Sequence, residues 1–509
     1  MVWRLETACG NESAKVKWQV IPYIKGRGLD VGCGHWKILP CAIGVDADPS
    51  VRPDLIGCAT DLSMFAAGSM DYVYSSHCLE HLEDPRQALR EWWRVVKPGG
   101  HLMLYLPHKN LYPNIGQFGA NPDHKHDFVP DDVTRIMQRA ASGWDLVENE
   151  VRAERDEYSF LQVYRKLDNS IERLASYKLR PDPKTVTMVF RPGAVGDMVI
   201  ASSIFHLLPR PIWVWTNPRG AQVLQGDPRI DGLIVHQEGI TPDNMGALRE
   251  LFAYLEQRYG RFVNLLESLE GGVLFEPWQS AFYWPAELRR ERCKVSYVQF
   301  AHQVADVLYD PKPRYMPSPE ELRVAQARRD AEGRFIMFGL SGSGVQKRYP
   351  HSARLLEALL DAFPEHNIVC VGEWDHARHP LPRHARVVVD GVANPMRDTL
   401  ALAQCADLVI GQETGLMWAV AMCDVPKVLL LSHSSPRNLG LDWKRTQVLH
   451  AHQGRVACWP CHRMQHDWAY CHMDDKTGMA ACQADIPVEA IVQAARRALV
   501  IDALATAAT

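Results

Sequence analysis

The stretch Met188-Val189-Phe190-Arg191-Pro192-Gly193-Ala194-Val195-Gly196-Asp197, running on into Met198-Val199-Ile200-Ala201-Ser202-Ser203-Ile204-Phe205, decides how this 509-residue chain is read. Its short apolar opening predicts a buried parallel strand, and apolar residues at 198, 199 and 205 predict one face of a following helix. Between strand and helix, Gly193 and Gly196 let the backbone turn tightly and leave room for a ligand. Asp197 falls at the helix N-terminus, where the dipole favours a carboxylate. Loops at the carboxyl ends of parallel strands are where open α/β sheets bind ligands. Asp197 is therefore either a functional acid or a plain helix cap.

Two later stretches are built the same way. Phe335-Ile336-Met337-Phe338-Gly339-Leu340-Ser341-Gly342-Ser343-Gly344 reads as a strand entering a Ser/Gly-rich loop, with Lys347 just beyond. Ala406-Asp407-Leu408-Val409-Ile410-Gly411-Gln412-Glu413-Thr414-Gly415 reads as a strand ending in acid-Thr-Gly. In this order the three motifs resemble glycosyltransferase family 9, the ADP-heptose:lipopolysaccharide heptosyltransferases, over roughly residues 185–500. The resemblance implies a GT-B pair of Rossmann-like domains, 185–325 for the acceptor and 326–509 for the nucleotide sugar. It implies Asp197 as the base that takes the acceptor proton. Lys347 and the N–H groups of Ser341, Gly342 and Ser343 can neutralise a departing diphosphate without a metal. Glu413, Thr414 and Gly415 complete the expected donor site; the alternative for Lys347 is a solvated surface lysine. Trp418 stands where the family often carries a His, and reads as a stacking platform for a sugar or adenine ring or as a helix-core residue.

The amino-terminal third carries a different pattern. Gly28-Leu29-Asp30-Val31-Gly32-Cys33-Gly34 is a strand entering a glycine turn, and Cys41-Ala42-Ile43-Gly44-Val45-Asp46 is a strand ending in an acid. Glycines allow close approach of a nucleoside ligand, and the acid accepts from ribose hydroxyls. Asp61, then Met70-Asp71-Tyr72-Val73-Tyr74-Ser75-Ser76-His77-Cys78-Leu79-Glu80-His81, then Lys97-Pro98-Gly99-Gly100 complete an order that resembles class I S-adenosylmethionine-dependent methyltransferases. His35 and Trp36 stand where that family has a third glycine. The resemblance implies that Asp30, Gly32 and Gly34 hold the methionine end of the cofactor, Asp46 the ribose and Asp61 the adenine. It places His77 and Cys78 beside the sulfonium. For a hydroxyl acceptor, His77, His81, His108, His124 and His126 are the candidate bases. The methyltransferase-like domain is expected over 1–167, with a linker over 168–184 marked by Pro181 and Pro183.

Cys458, Cys461, Cys471 and Cys482 form a C-x2-C-x9-C-x10-C series within 25 residues. Four such thiols read as a structural site for zinc or iron, between which spacing does not choose, or as unrelated thiols. The cluster, 458–482, resembles the cysteine finger of autotransporter protein heptosyltransferases, and the resemblance implies iron.

A net charge of −4 with no basic tract argues against a nucleic-acid partner. No apolar run reaches membrane-spanning length and no secretory leader is evident, so a cytoplasmic protein with reduced thiols is expected. The reading is α/β throughout: a bifunctional enzyme joining a methyltransferase to an inverting, heptosyltransferase-like glycosyltransferase. Its expected partners are an ADP-heptose-like donor, a glycan, lipopolysaccharide or protein acceptor, and a second copy of itself in a homo-oligomer. The rival is a glycosyltransferase whose amino-terminal domain is an inactive docking scaffold.

Overall fold

The computed structural model describes residues 11–153, 156–167, 181–236, 245–266 and 272–506. From the sequence, 168–184 also reads as an amphipathic helix running into its prolines, 241–258 as a helix and 262–268 as a strand; these expectations lie wholly or partly outside the described residues. The chain divides into two compact units, Met1–Arg180 with Gly239–Tyr254, and Pro181–Glu238 with Leu255–Thr509.

The first unit is built on a 7-stranded sheet. Its strands are β1 (Gly28–Val31), β2 (Ile43–Asp46), β3 (Leu55–Ile56), β4 (Met70–Ser76), β5 (Val96–Pro107), β6 (Trp144–Arg152) and β7 (Ser159–Lys166). The spatial order is β3-β2-β1-β4-β5-β7-β6, with β1 to β5 parallel and β7 antiparallel to both its neighbours. This is the Rossmann-like order of class I methyltransferases. Tyr158–Lys166 alternates apolar and polar residues, which predicts a last antiparallel edge strand; it forms β7, antiparallel but lying between β5 and β6 rather than at the edge. Val31, Val73, Leu102 and Leu104 pack against Leu89 and Trp92 of the helix Pro85–Val95. Asp84 caps that helix by accepting from the Gln87 N–H at 2.9 Å.

The second unit holds two parallel sheets. The smaller contains β8 (Thr187–Phe190), β9 (Ile212–Thr216), β10 (Gly232–Val235) and β11 (Arg261–Asn264), in the order β10-β9-β8-β11. The larger contains β12 (Phe335–Gly339), β13 (Asn367–Val371), β14 (Val387–Gly391), β15 (Leu408–Gln412), β16 (Lys427–Leu431) and β17 (Thr446–His450), in the order β14-β13-β12-β15-β16-β17. In both sheets the inner strands β8, β12, β15 and β16 are near-continuous buried apolar runs, as parallel strands covered on both faces require, and the outer strands β10, β14 and β17 are half-buried. In each, the order reverses direction beside the strand whose loop was singled out, which is where such sheets leave a crevice. The two Rossmann-like sheets make a GT-B pair. One hydrophobic cluster runs through both, from Val189 and Val199 to Met337, Val409 and Leu429. The expected boundary at 325/326 falls inside the helix Pro319–Glu332, whose Glu321 pairs with Arg397.

Candidate active sites

At the end of β8, Pro192 stops the ladder and the chain turns into the helix Val195–Ala201. Asp197 Oδ2 accepts from the Ala194 N–H at 2.8 Å, so Asp197 does cap this helix. Its Oδ1 lies 3.2 Å from the guanidinium of buried Arg191, and the side chain also lines the cavity between the sheets. A Cβ on Gly193 would stand 2.9 Å from that of Asp197, so glycine is what lets the carboxylate fold back over the turn.

That cavity has a volume of about 690 Å³. It brings Asp197 together with Ser341, Gly342, Ser343 and Lys347 beyond β12, and with Glu413, Thr414 and Gly415 beyond β15. Among the described residues the N–H groups of Ser341, Gly342 and Ser343 have no protein acceptor. Lys347 is 7% exposed, which excludes a solvated surface lysine. Burial pulls its ammonium pKa down against the pull of Glu413, Asp197 and Glu276. A Cβ on Gly342 would meet Lys347 Cδ at 2.9 Å and Thr414 Cγ2 at 2.7 Å, so this glycine seats the lysine stem.

Glu413 lines the cavity, but its oxygens are taken by the chain. They accept from the N–H of Ser432 at 2.8 Å, the Ser432 hydroxyl at 3.0 Å and the N–H of His433 at 3.0 Å, while His433 Nδ1 lies 2.9 Å away. Burial pushes this carboxyl up, yet His433, Lys347 and the Ser432 N–H outweigh it and hold its pKa well below the carboxylate range. Glu413 thus fixes the loop after β16 and balances the lysine charge. Trp418 is 4% exposed, sits over Gly196 and meets the ring of Trp443 at 4.8 Å, and it also lines the cavity, so it packs in the helix core and borders the ligand space at once.

The sequence does not point to two residues that line the cavity, Glu276 and His433, or to Arg191, which pairs with Asp197. Arg191 lies inside the stretch quoted first but carries no motif, and Glu276 lies in an irregular segment with no local signal. His433 follows a strand end in the polar run Ser432–Ser435, and the strand-end rule applied to β16 would have found it.

In the first unit, Gly32 has φ +70° and a Cβ there would stand 2.5 Å from Cys78 Sγ, so the glycine turn and the end of β4 are in contact. Gly34 has φ +52° and faces open space; its N–H donates to Asp46 Oδ2 at 2.9 Å. Asp30, expected to hold the methionine end of a cofactor, is 1% exposed and accepts from the Ile38 N–H at 2.6 Å. It braces the loop after the glycine turn from behind, and burial raises its pKa to about 7. Asp61 stands past β3 with a carboxylate oxygen accepting from the Ser63 N–H at 2.9 Å. His77 has φ +48°, a left-handed conformation uncommon outside glycine, and its Nε2 lies 3.0 Å from Ser159 Oγ. Burial lowers its pKa to about 3, so the ring is neutral.

Residues 29–104 match the methyltransferase domain family model. The chain is also similar to ADP-heptose lipopolysaccharide heptosyltransferase II of E. coli, at 18% identity over 62% of this chain and 99% of that one, with a TM-score of 0.42. It is similar to the iron-containing dodecameric glycosyltransferase TibC of enterotoxigenic E. coli, at 14% identity over 62% of this chain and 76% of that one, with a TM-score of 0.42. An S-adenosylmethionine dependent methyltransferase from Mesorhizobium loti matches at 17% identity over 31% of this chain and 99% of that one, with a TM-score of 0.25.

The four finger cysteines line one small cavity of about 60 Å³. Burial raises the pKa of each thiol, and for Cys461, Cys471 and Cys482 the neighbouring cysteines add to it. Thiols that crowd one another in this way suit a cation that would turn them into thiolates. Among the described residues, Glu80, His81 and His124 form a second group of possible ligands, with ligand atoms within 4.8 Å of one another. Among the same residues no helix is long and apolar enough to cross a membrane.

Proposed function

We propose that the second unit is an inverting glycosyltransferase and the first an S-adenosylmethionine-dependent methyltransferase, acting on the same glycoconjugate. The observation that carries the reading is the cavity lined from one sheet by Asp197 and from the other by the Ser341–Ser343 loop and Lys347. An acceptor hydroxyl gives its proton to the Asp197 carboxylate as its oxygen attacks the anomeric carbon. The bond from that carbon to the diphosphate breaks on the opposite face. The leaving charge falls on the N–H groups of Ser341, Gly342 and Ser343 and on the Lys347 ammonium. Thr414 and Gly415 open a helix whose N–H groups suit the donor's phosphates, and buried Glu413 holds Lys347 charged without competing for the ligand. The donor is an ADP-heptose-like nucleotide sugar and the acceptor a glycan, lipopolysaccharide or protein.

In the first unit, the open space at Gly34 and the carboxylate of Asp46 fit the methionine end and ribose of S-adenosylmethionine, with His77 and Cys78 beside its sulfonium. The bound cofactor supplies the methyl group; the chain positions the acceptor and takes its proton. Cys458, Cys461, Cys471 and Cys482 would hold one zinc or iron ion as a structural staple. The test has two arms: transfer from ADP-heptose, read by mass spectrometry of the acceptor, and calorimetry with S-adenosylhomocysteine. A nucleotide-sugar transferase that does not bind S-adenosylhomocysteine would leave the docking-scaffold reading of the first unit standing. Failure of both arms would sink the reading as a whole.

A further inference from the structure

We propose that Glu80, His81 and His124 bind one divalent transition-metal ion in the first unit. Glu80 follows the end of β4 in the turn Leu79–His81 and is fully buried. Among the described residues neither of its carboxylate oxygens has a hydrogen-bond partner. A carboxylate left this way is costly to bury, and a cation is one of the few groups that offsets the cost. The nitrogens facing it are already in place. His81 Nε2 lies 3.9 Å and His124 Nε2 4.0 Å from Glu80 Oε1, beyond hydrogen-bond reach. His77 Nδ1 stands 3.7 Å from the same oxygen.

The surroundings hold these groups in that arrangement. His81 Nδ1 is 3.3 Å from the Asp123 carbonyl, which fixes Nε2 as the nitrogen free to coordinate. The Glu80 carbonyl accepts from the N–H groups of Lys125 at 2.8 Å and His126 at 3.1 Å, pinning the loop that carries His124 to the turn that carries Glu80. The His81 and His124 rings meet edge to face at 4.8 Å. Ligand atoms sharing one ion at ~2.1 Å stand roughly 3.0–3.4 Å apart, whereas these are spread over as much as 4.8 Å, so binding asks the widest pair to close by roughly 1.4–1.8 Å. Two imidazoles and one carboxylate suit manganese, iron, cobalt or zinc better than calcium or magnesium. The site is distinct from the cysteine finger in position and in ligand chemistry. Its use would rest on the methyl-transfer reading above: His77 and Cys78 link it to the glycine turn, where a cation would acidify an acceptor hydroxyl so that water takes up its proton.

The experiment titrates chelator-stripped full-length protein with Mn2+, counting free ion by electron paramagnetic resonance. The wild type should take up one Mn2+, and Cys461→Ser should do the same. Glu80→Gln keeps the shape, and His124→Gln removes one nitrogen; each should weaken binding by at least about tenfold. Should Glu80→Gln fail to fold, half-exposed His81→Gln carries the same expectation. No uptake by the wild type, or unchanged affinity in the folded ligand variants, would overturn the proposal. Calorimetry with S-adenosylhomocysteine on the same samples keeps the two claims apart. Glu80-dependent Mn2+ binding without cofactor binding would sustain the metal site and defeat methyl transfer.

Discussion

At the residue scale, buried charges show how the cavity and the glycine turn are held. Glu413 takes the N–H groups of Ser432 and His433 and sits near the Lys347 ammonium. Glu413→Ala would orphan those donors and leave a buried lysine uncompensated, so a loss of about 3–5 kcal/mol is expected in urea unfolding. Asp30 behaves in the opposite sense. Its pKa is raised by burial to about 7 in the folded chain, so the native state holds a proton that the unfolded chain has released. Stability from this group is therefore full below the ordinary carboxyl pKa and is lost as pH rises through about 7, with a slope of up to about 1.4 kcal/mol per pH unit. Asp30→Asn should flatten that slope, read by hydrogen exchange of peptides covering Gly28–Val31 at pH 5, 6 and 7. Sequence placed Asp197 and Lys347 at strand ends because their signals are local. The burial of Asp30 and its bond to the Ile38 N–H are not legible there, because a motif gives a residue's place in the chain and not which way its side chain faces. Glu276, in an irregular segment, has a role that arises only from what packs against it, whereas His433 follows the end of β16 and was open to the same strand-end rule.

At the scale of elements, two short helices meet at their N-termini. A Cβ on Gly415 would stand 2.6 Å from Val195 Cβ, whereas one on Gly196 would meet Trp418 Cδ1 at 3.1 Å. Gly415→Ala must therefore push the helices Gly415–Val420 and Val195–Ala201 apart, displacing Thr414 and Asp197 together; Gly196→Ala asks only a small shift of an indole ring. A cost of about 1–3 kcal/mol and a fall in turnover are expected for Gly415→Ala, and clearly smaller effects for Gly196→Ala, in parallel melting and transfer assays. These glycines were read as room for a ligand; much of their use is room for each other's helix. β1, β8, β12 and β15 are legible because each is a buried apolar run closed by Gly, Pro or an acid, whereas β3 is exposed and β6 and β17 are half-buried and mixed in polarity, with no such run to show them. The helix Pro319–Glu332 was not, because its tie to Arg397 joins residues far apart in sequence.

At the scale of the second unit, the cysteine finger reaches both sheets' loops. Phe275 N–H donates to the His462 carbonyl and Met464 N–H to that of Phe275, each at 2.9 Å, while Val345 N–H donates to the Gln465 carbonyl at 2.9 Å. The finger thus buttresses the segment that carries Lys347. Cys461→Ser should lower bound zinc or iron, reduce the melting temperature and weaken donor binding together, measured by elemental analysis, calorimetry and titration. None of these links is visible in the cysteine spacing, which raises the expectation of a metal site and carries nothing about what the segment supports. The central claim is that the cavity between the two sheets transfers a sugar, with Asp197 as base and Lys347 serving the leaving diphosphate. Its most direct test is the transfer rate and donor affinity of Asp197→Asn against wild type, with Lys347→Ala alongside. Asp197→Asn should bind the donor normally and lose about 10²–10⁴ in turnover, while Lys347→Ala should lose both affinity and turnover. An Asp197→Asn enzyme as active as wild type would contradict the account and leave that carboxylate as a helix cap.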